Sequence, residues 1–443
     1  MRFTFILYRQ KRITRNRMKE TMKTFMLMGI TAMALSGCRS AQVSKDNKKE
    51  TENWTIEDEI DNSYLTLSDA QREMVSQNNG FAFALFRKTM GMDSRVISPL
   101  SVTYLMSMLA NGADGATQQQ ILSTLGWADK GQQQPTLQDI NNFSRMVMEK
   151  AGKLDKAVTV DIANYIAVND QHKVNGKFQK SVEQNYKAGV ESLDFTSSKT
   201  LKRINSWCSD HTRGMIPSII DQVEPQAISY LMNAIYFNGT WSDKFDEKET
   251  KLERFRGYTR DIKRVNMMHR HDEYFYGDGK NFQAVQIPYG NGAFRMTVIL
   301  PADGKAVEEV MATMDGEKFL QLQQSMEKCN VDLKLPRFTT EAEQPLNEVI
   351  SALGAPLIFT PQADFSQFAN GDFFISKMLQ KAKIEVSEEG TKAAAVTAAI
   401  MVMSALQPEM KRNVTFHADH PFAYIISERS TGNIFFMGQF TGE

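Results

Sequence analysis

Residues 387–407 read Ser-Glu-Glu-Gly-Thr-Lys-Ala-Ala-Ala-Val-Thr-Ala-Ala-Ile-Met-Val-Met-Ser-Ala-Leu-Gln, and Ala393 to Leu406 contain no charge, glycine or proline. This apolar part is too short to cross a bilayer, which takes ~20 residues. Its alanines favour a buried helix, whereas its Val, Thr and Ile favour a strand. In a strand, side chains alternate between two faces. One face would then carry only small, uncharged residues at its start and could slide between two existing strands, namely Thr391, Ala393, Ala395 and Thr397.

The rest of the chain changes character along its length. Helical patterns come first, beginning near Ser68-Asp69, a plausible N-cap. The apolar run Ser229–Phe237 is typical of a central strand buried on both faces. From Phe282 onward, short β-prone segments dominate without βαβ alternation. The sequence therefore predicts an α+β fold with mixed or antiparallel sheets and one domain over residues 68–443.

The N-terminal part has the features of a secretory signal. A charged start at Met18 precedes a short apolar stretch that ends in Leu35-Ser-Gly-Cys38, which resembles the lipobox of bacterial lipoproteins. We expect residues 1–37 to be a signal peptide and Cys38 to carry lipid, with several acyl chains as a membrane anchor. Residues 1–17 are either a long basic leader or lie upstream of the true start. Residues 38–67 are predicted to form a polar tether. These features predict a bacterial cell-envelope protein, facing the periplasm or the cell surface.

Composition excludes several classes of function. Lys plus Arg equals Asp plus Glu, so the chain lacks the charge of a general nucleic-acid binder. Three cysteines are too few for a disulfide framework, and Cys208 and Cys329 are predicted to be buried free thiols unless the fold brings them within ~7 Å. No nucleophile elbow, zinc-helix motif or phosphate loop occurs, which argues against a lipid-anchored hydrolase. The run His269–Glu273 is predicted to be a solvated turn and not a metal site.

The stretch after Ser387 resembles the reactive-centre loop hinge of inhibitory serpins, in which Glu, Gly, a small hydroxyl residue and a run of Ala follow one another. Four further segments resemble serpin motifs in the expected order, although Ala423 departs from the large apolar residue usual there. They are Val96-Ile-Ser-Pro-Leu-Ser101, Leu231–Trp241 with Phe245, Phe416-His-Ala-Asp-His-Pro-Phe422 and Ile434–Phe440.

The resemblance implies three sheets, eight or nine helices and an exposed loop that a protease attacks. It implies a monomeric suicide inhibitor of serine proteases that needs no metal and no small cofactor. The implied hinge comprises Glu388, Glu389, Gly390, Thr391, Ala393, Ala394, Ala395 and Thr397. The implied sheet-opening residues are Ser98, Ser101, Asn233 and Gln380, with Gln380 where many animal serpins have His. We expect Gln380 to bond Asn233 without titrating near neutral pH. The alternative is that these four are ordinary buried polar residues.

The scissile bond stays open: two positions are favoured, and other bonds of the loop remain because it is a few residues longer than in typical animal members. Family spacing from the hinge gives Ser404–Ala405, and a shift of one residue gives Met403–Ser404. No Arg or Lys lies between Ala393 and Met410, so an elastase-like or chymotrypsin-like target fits better than a trypsin-like one. A cysteine protease target stays open as well. The alternative function is a non-inhibitory serpin-fold binding protein, which the small residues of the hinge disfavour.

Overall fold

The computed structural model describes residues 64–127, 134–391 and 411–442. Within these ranges the chain forms nine α-helices. They are α1 (Asp69–Thr89), α2 (Pro99–Gly112), α3 (Gly115–Thr124), α4 (Leu137–Ala151), α5 (Gly176–Tyr186), α6 (Ser198–His211), α7 (Val307–Thr313), α8 (Gly316–Ser325) and α9 (Asn347–Leu353). None of these helices is long and apolar enough to cross a membrane.

Fifteen strands lie in the same described ranges. They are β1 (Arg95–Ile97), β2 (Val158–Asn169), β3 (Gly189–Leu193), β4 (Ser229–Thr240), β5 (Lys251–Arg256), β6 (Ile262–Asp278), β7 (Phe282–Tyr289), β8 (Phe294–Pro301), β9 (Glu327–Pro336), β10 (Phe338–Pro345), β11 (Lys377–Ser387), β12 (Gly390–Thr391), β13 (Asn413–His417), β14 (Phe422–Glu428) and β15 (Ile434–Phe440). Helices predominate before β4 and strands after it, so the predicted α+β class is confirmed.

The first helix begins where the sequence predicts. The Ser68 hydroxyl accepts a hydrogen bond from the Gln71 backbone N–H, and the Gln71 side chain accepts one from the Ser68 N–H. This reciprocal pair is a capping box, which satisfies two otherwise unpaired donors at a helix start. The predicted extent of the tether needs correction, however. Leu65 and Leu67 are buried in the core, so the packed chain begins before Ser68. Each is a single aliphatic residue in a polar segment, which composition alone could not distinguish from tether.

The six-stranded sheet has the order β10-β11-β12-β4-β2-β3. Its central strand β4 pairs antiparallel with β2 and parallel with β11. Eleven of the twelve residues of β4 are buried, as its apolar run predicts. One face packs on the main core through side chains such as Ile235 and Phe237. The other face packs beneath α6, where Met232 and Ala234 meet Ile204 and Trp207.

The other nine strands form one continuous hydrogen-bonded network. The 17-residue strand β6 joins its two parts, because the first half pairs with β5 and the last residues pair with β7. The second and third sheets implied by the resemblance are thus connected through β6. The predicted turn at His269–Glu273 is wrong, because this run lies inside β6 and pairs with β9. All five residues of the run are half-buried or exposed, so both faces of β6 are solvated here, and a charge-rich run does not distinguish such a strand from a turn.

The polar groups around that run do not form a metal site. His269 Nε2 lies 2.6 Å from Asp332 Oδ1, and His417 Nε2 lies 2.9 Å from Asp332 Oδ2. In the described part of the chain, no cluster of three or more His, Cys, Asp or Glu side chains could hold a metal ion. Cys208 and Cys329 are free and buried, as predicted. Burial raises the pKa of the Cys208 thiol to about 12, so it stays protonated.

Candidate functional site: the hinge and the opening of the large sheet

The hinge lies where the two central strands of the large sheet separate. β11 and β4 pair directly over seven residue pairs, from Lys377–Tyr230 to Lys383–Tyr236. Beyond this point β11 turns back at Ser387, and the two-residue strand β12 enters between the two strands. β12 pairs antiparallel with both neighbours. The first residues of the loop therefore already form the start of an additional central strand.

Gly390 is the residue at which the chain enters the sheet. Its backbone has a φ of +134°, a region that side chains strongly disfavour. A Cβ atom at this position would lie 2.2 Å from the carbonyl oxygen of Gly239 on β4. Both the torsion and the close backbone approach therefore require glycine here.

Thr391 is the innermost hinge residue that the structure describes. Its side chain is fully buried, and its hydroxyl lies 2.9 Å from the hydroxyl of Tyr289 on β7. Burial raises the pKa of Tyr289, so the phenol stays neutral and can donate or accept this bond. The Tyr289 ring stacks on Trp241 with a centroid distance of 4.3 Å. The Thr391 hydroxyl therefore links the hinge to the stacked rings of Tyr289 and Trp241, which lie under the opening of the sheet.

Glu388 anchors the turn that precedes β12. Its side chain is only 3% exposed and accepts hydrogen bonds from Arg337 Nε at 3.0 Å and from the Thr250 hydroxyl at 2.6 Å. Burial alone would raise the pKa of this carboxyl. The bonds from Arg337 and Thr250 outweigh burial, so the pKa lies below its ordinary value. The Glu388 carbonyl also accepts from the Phe245 N–H at 3.0 Å. Glu388 is therefore ionised and held at neutral pH.

The turn makes further bonds through its backbone and through Glu389. The Trp241 N–H donates to the Glu389 carbonyl at 3.0 Å, and the indole N–H donates to the Ser387 carbonyl at 2.9 Å. The Glu389 carboxylate pairs with Lys244. In the sequence, these residues of the β4–β5 connection are recognisable only as part of a family motif. Their contact with the hinge spans about 150 residues and gives no local sequence signal.

The four predicted sheet-opening residues lie together under the paired part of β4 and β11. The Gln380 side chain accepts from the Ser98 N–H at 2.8 Å and donates to the Ser98 carbonyl at 3.0 Å. It also donates to Asn233 Oδ1 at 3.1 Å, which is the hydrogen bond the sequence predicts. The Ser98 hydroxyl donates to Ser101 at 3.1 Å. All four residues are buried. Their hydrogen bonds to one another form a single polar cluster, at which α2, β4 and β11 meet.

One member of this group was missed by the sequence reasoning. Asn164 on β2 is fully buried and accepts from Asn233 Nδ2 at 2.9 Å. Its own amide donates to the Tyr186 carbonyl at the end of α5. The signal was present, because Asn164 interrupts the β-prone run Val158–Val168. A polar residue inside a buried strand requires partners, and this asparagine extends the group to β2 and α5.

Several predicted site residues lie outside the described residues. They are the hinge residues Ala393, Ala394, Ala395 and Thr397, the reactive-bond residues Met403, Ser404 and Ala405, and the lipidation residue Cys38. The described chain resumes at Lys411, which pairs with Glu273, and continues into β13. Both ends of the loop are thus fixed on the domain, one in each sheet.

Comparison with known proteins assigns this chain and its fold to one family. The sequence model of the serpin (serine protease inhibitor) family matches residues 76–442. Leukocyte elastase inhibitor A of Rattus norvegicus is 30% identical over 385 residues, covering 83% of this chain and 98% of its own length. The chain belongs to the serpin family, whose members are protease inhibitors or binding proteins and not, in general, enzymes.

Two solved serpin structures show the same architecture. The native state of the thermophilic serpin tengpin superposes with a TM-score of 0.76 at 28% identity, covering 86% of this chain and 96% of that one. Human thyroxine-binding globulin in complex with thyroxine superposes with a TM-score of 0.74 at 26% identity, covering 83% of this chain and 98% of that one. The relatives of this chain therefore include both a protein named as an elastase inhibitor and a thyroxine-binding protein.

Proposed function

We propose that this protein is an irreversible suicide inhibitor of serine proteases with elastase-like or chymotrypsin-like specificity. The observation that carries the proposal is the position of Gly390 and Thr391. These two residues already pair with both β11 and β4 at the point where the sheet opens. A loop that only served as a surface feature would gain nothing from this arrangement. A loop that enters the sheet after cleavage would continue directly from these two paired residues.

The observed register indicates where the rest of the loop would go. Thr391 pairs with Gly239 on β4 and Val386 on β11. Each later loop residue would pair one residue earlier on both neighbours. Thr397 would then lie between Asn233 and Gln380, which now bond each other. Insertion thus requires the backbone pairing of β4 with β11 to separate and this side-chain hydrogen bond to break, and the Thr397 hydroxyl could replace the side-chain bond.

The inward side chains of the loop suit this path. In the extended register, Ala393 and Ala395 would lie beside Phe237 and Ile235 of β4, which belong to the main core. Small side chains can enter such a packed layer, whereas a charged residue would lose its hydration without a partner. Inhibition is therefore a better explanation of the hinge composition than a purely ligand-binding function.

The chemistry belongs to the target protease. Its serine hydroxyl attacks the carbonyl carbon of the scissile residue, the peptide bond breaks, and the new amine leaves with a proton. The loop residue is then held as an ester on the protease. Insertion of the freed strand would carry the protease away and distort its active site, so that water does not hydrolyse the ester. Stored strain in the intact fold drives this step.

Specificity follows from the residues around the reactive bond. Met403–Ser404 and Ser404–Ala405 both offer a small or apolar residue, which suits a small or apolar specificity pocket. A trypsin-like pocket would keep its carboxylate unpaired. The rat relative named as an elastase inhibitor supports an elastase-like target. A cysteine protease is the further class of target to test.

We also propose that the mature chain begins at Cys38 and is anchored in a bacterial envelope by lipid. The lipobox resemblance of Leu35–Cys38 supports this location. Replacement of Cys38 by Ala is expected to release the protein from membranes or leave the precursor uncleaved. A variant that fractionates and migrates like the wild type would overturn the anchor and leave the inhibitor proposal intact.

The direct test incubates the protein with elastase, chymotrypsin, trypsin, subtilisin and papain. We expect a complex that survives denaturing gel electrophoresis with elastase or chymotrypsin and not with trypsin. The mass of the released C-terminal peptide would identify the scissile bond. Simple cleavage by every protease, without a covalent complex, would favour the non-inhibitory binding function instead.

A further inference from the structure

The helix α2 makes polar contacts at both of its ends. At its start, the backbone of Ser98 exchanges two hydrogen bonds with the Gln380 side chain of β11, at 2.8 and 3.0 Å. At its end, Asn111 forms a reciprocal amide pair with Asn141 of α4, at 2.8 and 2.9 Å. These contacts lie about 20 Å apart along the helix, since 13 positions separate Ser98 from Asn111 and each rises ~1.5 Å. Side-chain amides therefore fix α2 at two distant points.

Tyr186, the last residue of α5, connects that amide pair to the large sheet. Its buried hydroxyl donates to Asn141 Oδ1 at 2.7 Å, and its carbonyl accepts from the Asn164 side chain of β2 at 3.0 Å. Burial raises the pKa of Tyr186, so the phenol stays neutral and keeps its proton for this bond. The Ser181 hydroxyl of α5 also donates to Asn111 Oδ1, at 3.1 Å. The end of α2 is thereby linked through α4 and α5 to β2.

Two hydrogen-bonded routes therefore connect β11 with β2. The direct route crosses the sheet from Gln380 to Asn233 and on to Asn164, at 3.1 and 2.9 Å. The second route, which we call the helix route, runs from Gln380 along α2 and through Tyr186 to Asn164. A loop strand that enters between β4 and β11 would break the direct route at the bond between Gln380 and Asn233. The helix route avoids that gap and would still join β11 to β2.

We propose that Asn141 and Tyr186 are positioning residues for loop insertion, because they complete the helix route that holds β2 and β4 to β11. An inserted strand would move β4 away from β11 by one strand spacing, ~4.8 Å. A rigid helix cannot lengthen to follow this movement, so a bond at one end of the helix route must loosen. The route therefore resists opening of the intact sheet. This inference rests on the proposed function, since it takes the gap between β4 and β11 as the path of the loop.

Hydrogen–deuterium exchange of the intact protein, without any protease, tests the helix route. Tyr186→Phe removes one hydroxyl and keeps the ring, so the fold should persist. We expect the amides of residues 231–235 in β4 and 378–382 in β11 to exchange roughly fivefold faster or more, as the loss of one buried hydrogen bond predicts. The change on β11 is the informative one, because the bonds of Tyr186 described above go to α4 and β2.

Tyr104→Phe is the matched control. Tyr104 of α2 is also buried, and its ring centroid lies 6.1 Å from that of Tyr186. Its hydroxyl, however, has no hydrogen-bond partner within residues 64–127, 134–391 and 411–442. The control therefore makes the same chemical change in the same part of the core without cutting the helix route. We expect it to leave exchange in both β4 and β11 unchanged.

A double variant separates the helix route from a general loss of stability. Gln380→Ala cuts the route at β11, so adding Tyr186→Phe to it should change exchange of residues 378–382 little further, whereas independent effects would multiply.

Three results would overturn the proposal. They are wild-type exchange on β11 in Tyr186→Phe, an equal effect of Tyr104→Phe, and a fully multiplicative effect in the double variant. A protein that shows the expected exchange effects but traps no protease would overturn the proposed function and keep the helix route as a restraint on the sheet.

Discussion

The Thr391 hydroxyl lies 2.9 Å from the Tyr289 hydroxyl, and both side chains are fully buried. This bond joins the second residue of β12 to β7 of the other sheet, 102 positions away in sequence. The hinge is therefore held inside the sheet before any protease has acted. In the proposed mechanism, the strength of this contact would set how readily the loop inserts after cleavage, and each residue of the hinge can be tested separately.

Gly390→Ala should expel the start of β12 from the sheet. The new Cβ would lie 2.2 Å from the Gly239 carbonyl oxygen, and alanine resists a φ of +134°. The hinge then has to leave its position, and insertion after cleavage slows. We expect a higher stoichiometry of inhibition, with more of the protein consumed as cleaved substrate.

Gly371→Ala is the matched control for that change. Gly371 also has a positive φ, +82°, but a Cβ atom added there would have nothing within 4 Å. It therefore tests backbone strain without a clash in the sheet. An equal rise in stoichiometry for both variants would show that strain in general, and not the hinge position, is responsible.

Glu388→Gln tests the anchor of the hinge turn through its pH dependence. The folded pKa of Glu388 lies below its ordinary value, so its contribution is complete above the unfolded pKa of ~4.3. That contribution is lost as the pH falls through the folded pKa. We expect the variant to melt below the wild type at pH 7 and the gap to close in the acid range below about pH 4.

The matched control is Glu389→Gln, because the Glu389 side chain is 45% exposed. Its ion pair with Lys244 should contribute little, since exposed pairs are worth ~0–1 kcal/mol. Thermal midpoints of the three proteins across the pH range make the comparison. A gap between wild type and Glu388→Gln that stays constant with pH would contradict the assignment of the ionised carboxylate as the anchor.

Gln380→Ala should destabilise the intact protein. It removes bonds to Ser98 and Asn233 and leaves buried polar groups unpaired, at ~1–3 kcal/mol for each group. In a domain of this size that lowers the midpoint by roughly 2–4 °C per kcal/mol. Gln380→His is the companion variant, since imidazole can keep one bond but makes stability pH-dependent near pH 6–7. An unchanged midpoint for Gln380→Ala would exclude a role in holding the sheet closed.

Ala394→Pro addresses a loop residue that must pair after cleavage. Proline lacks the N–H that an inserted central strand offers to its neighbour. In the observed register this residue would pair opposite Tyr236 and Lys383. The variant should fold normally and become a substrate with a raised stoichiometry. An unchanged stoichiometry against a protease that the wild type traps would count against loop insertion.

The sequence predicts much of the site because its signals are local. The run from Glu388 to Thr397 carries its own pattern of charge, glycine and small residues. The family resemblance assigns Gln380 and Asn233 to the same sheet-opening group. Contacts between distant segments carry no such signal. The bond between Thr391 and Tyr289 depends on how two sheets stack, and neither residue is unusual in its own segment.

Other differences between sequence and structure have equally plain causes. The run His269–Glu273 has the composition of a turn because charge is typical of turns, but both faces of β6 are solvated enough at these residues to carry it. Leu65 follows a long polar stretch that has the composition of a tether, although its backbone and side chain both pack on the domain. Burial of an isolated residue depends on the surface it meets, which the sequence around it does not describe.

In the proposed mechanism, the intact protein is less stable than a second form, in which the cleaved loop is a central strand of the large sheet. The most direct measurement is thermal unfolding before and after limited cleavage between Ala399 and Gln407. We predict that cleavage raises the midpoint of thermal unfolding by about 20 °C or more. Each ~1 kcal/mol of added stability raises this midpoint by only a few degrees, so a shift of this size requires the many contacts of a whole inserted strand. Thr391→Arg would put a charge beside Tyr289 and should shrink or abolish this gain. A cleaved wild type that melts at or below the intact protein would contradict the inhibitory mechanism, although the chain would still be a serpin.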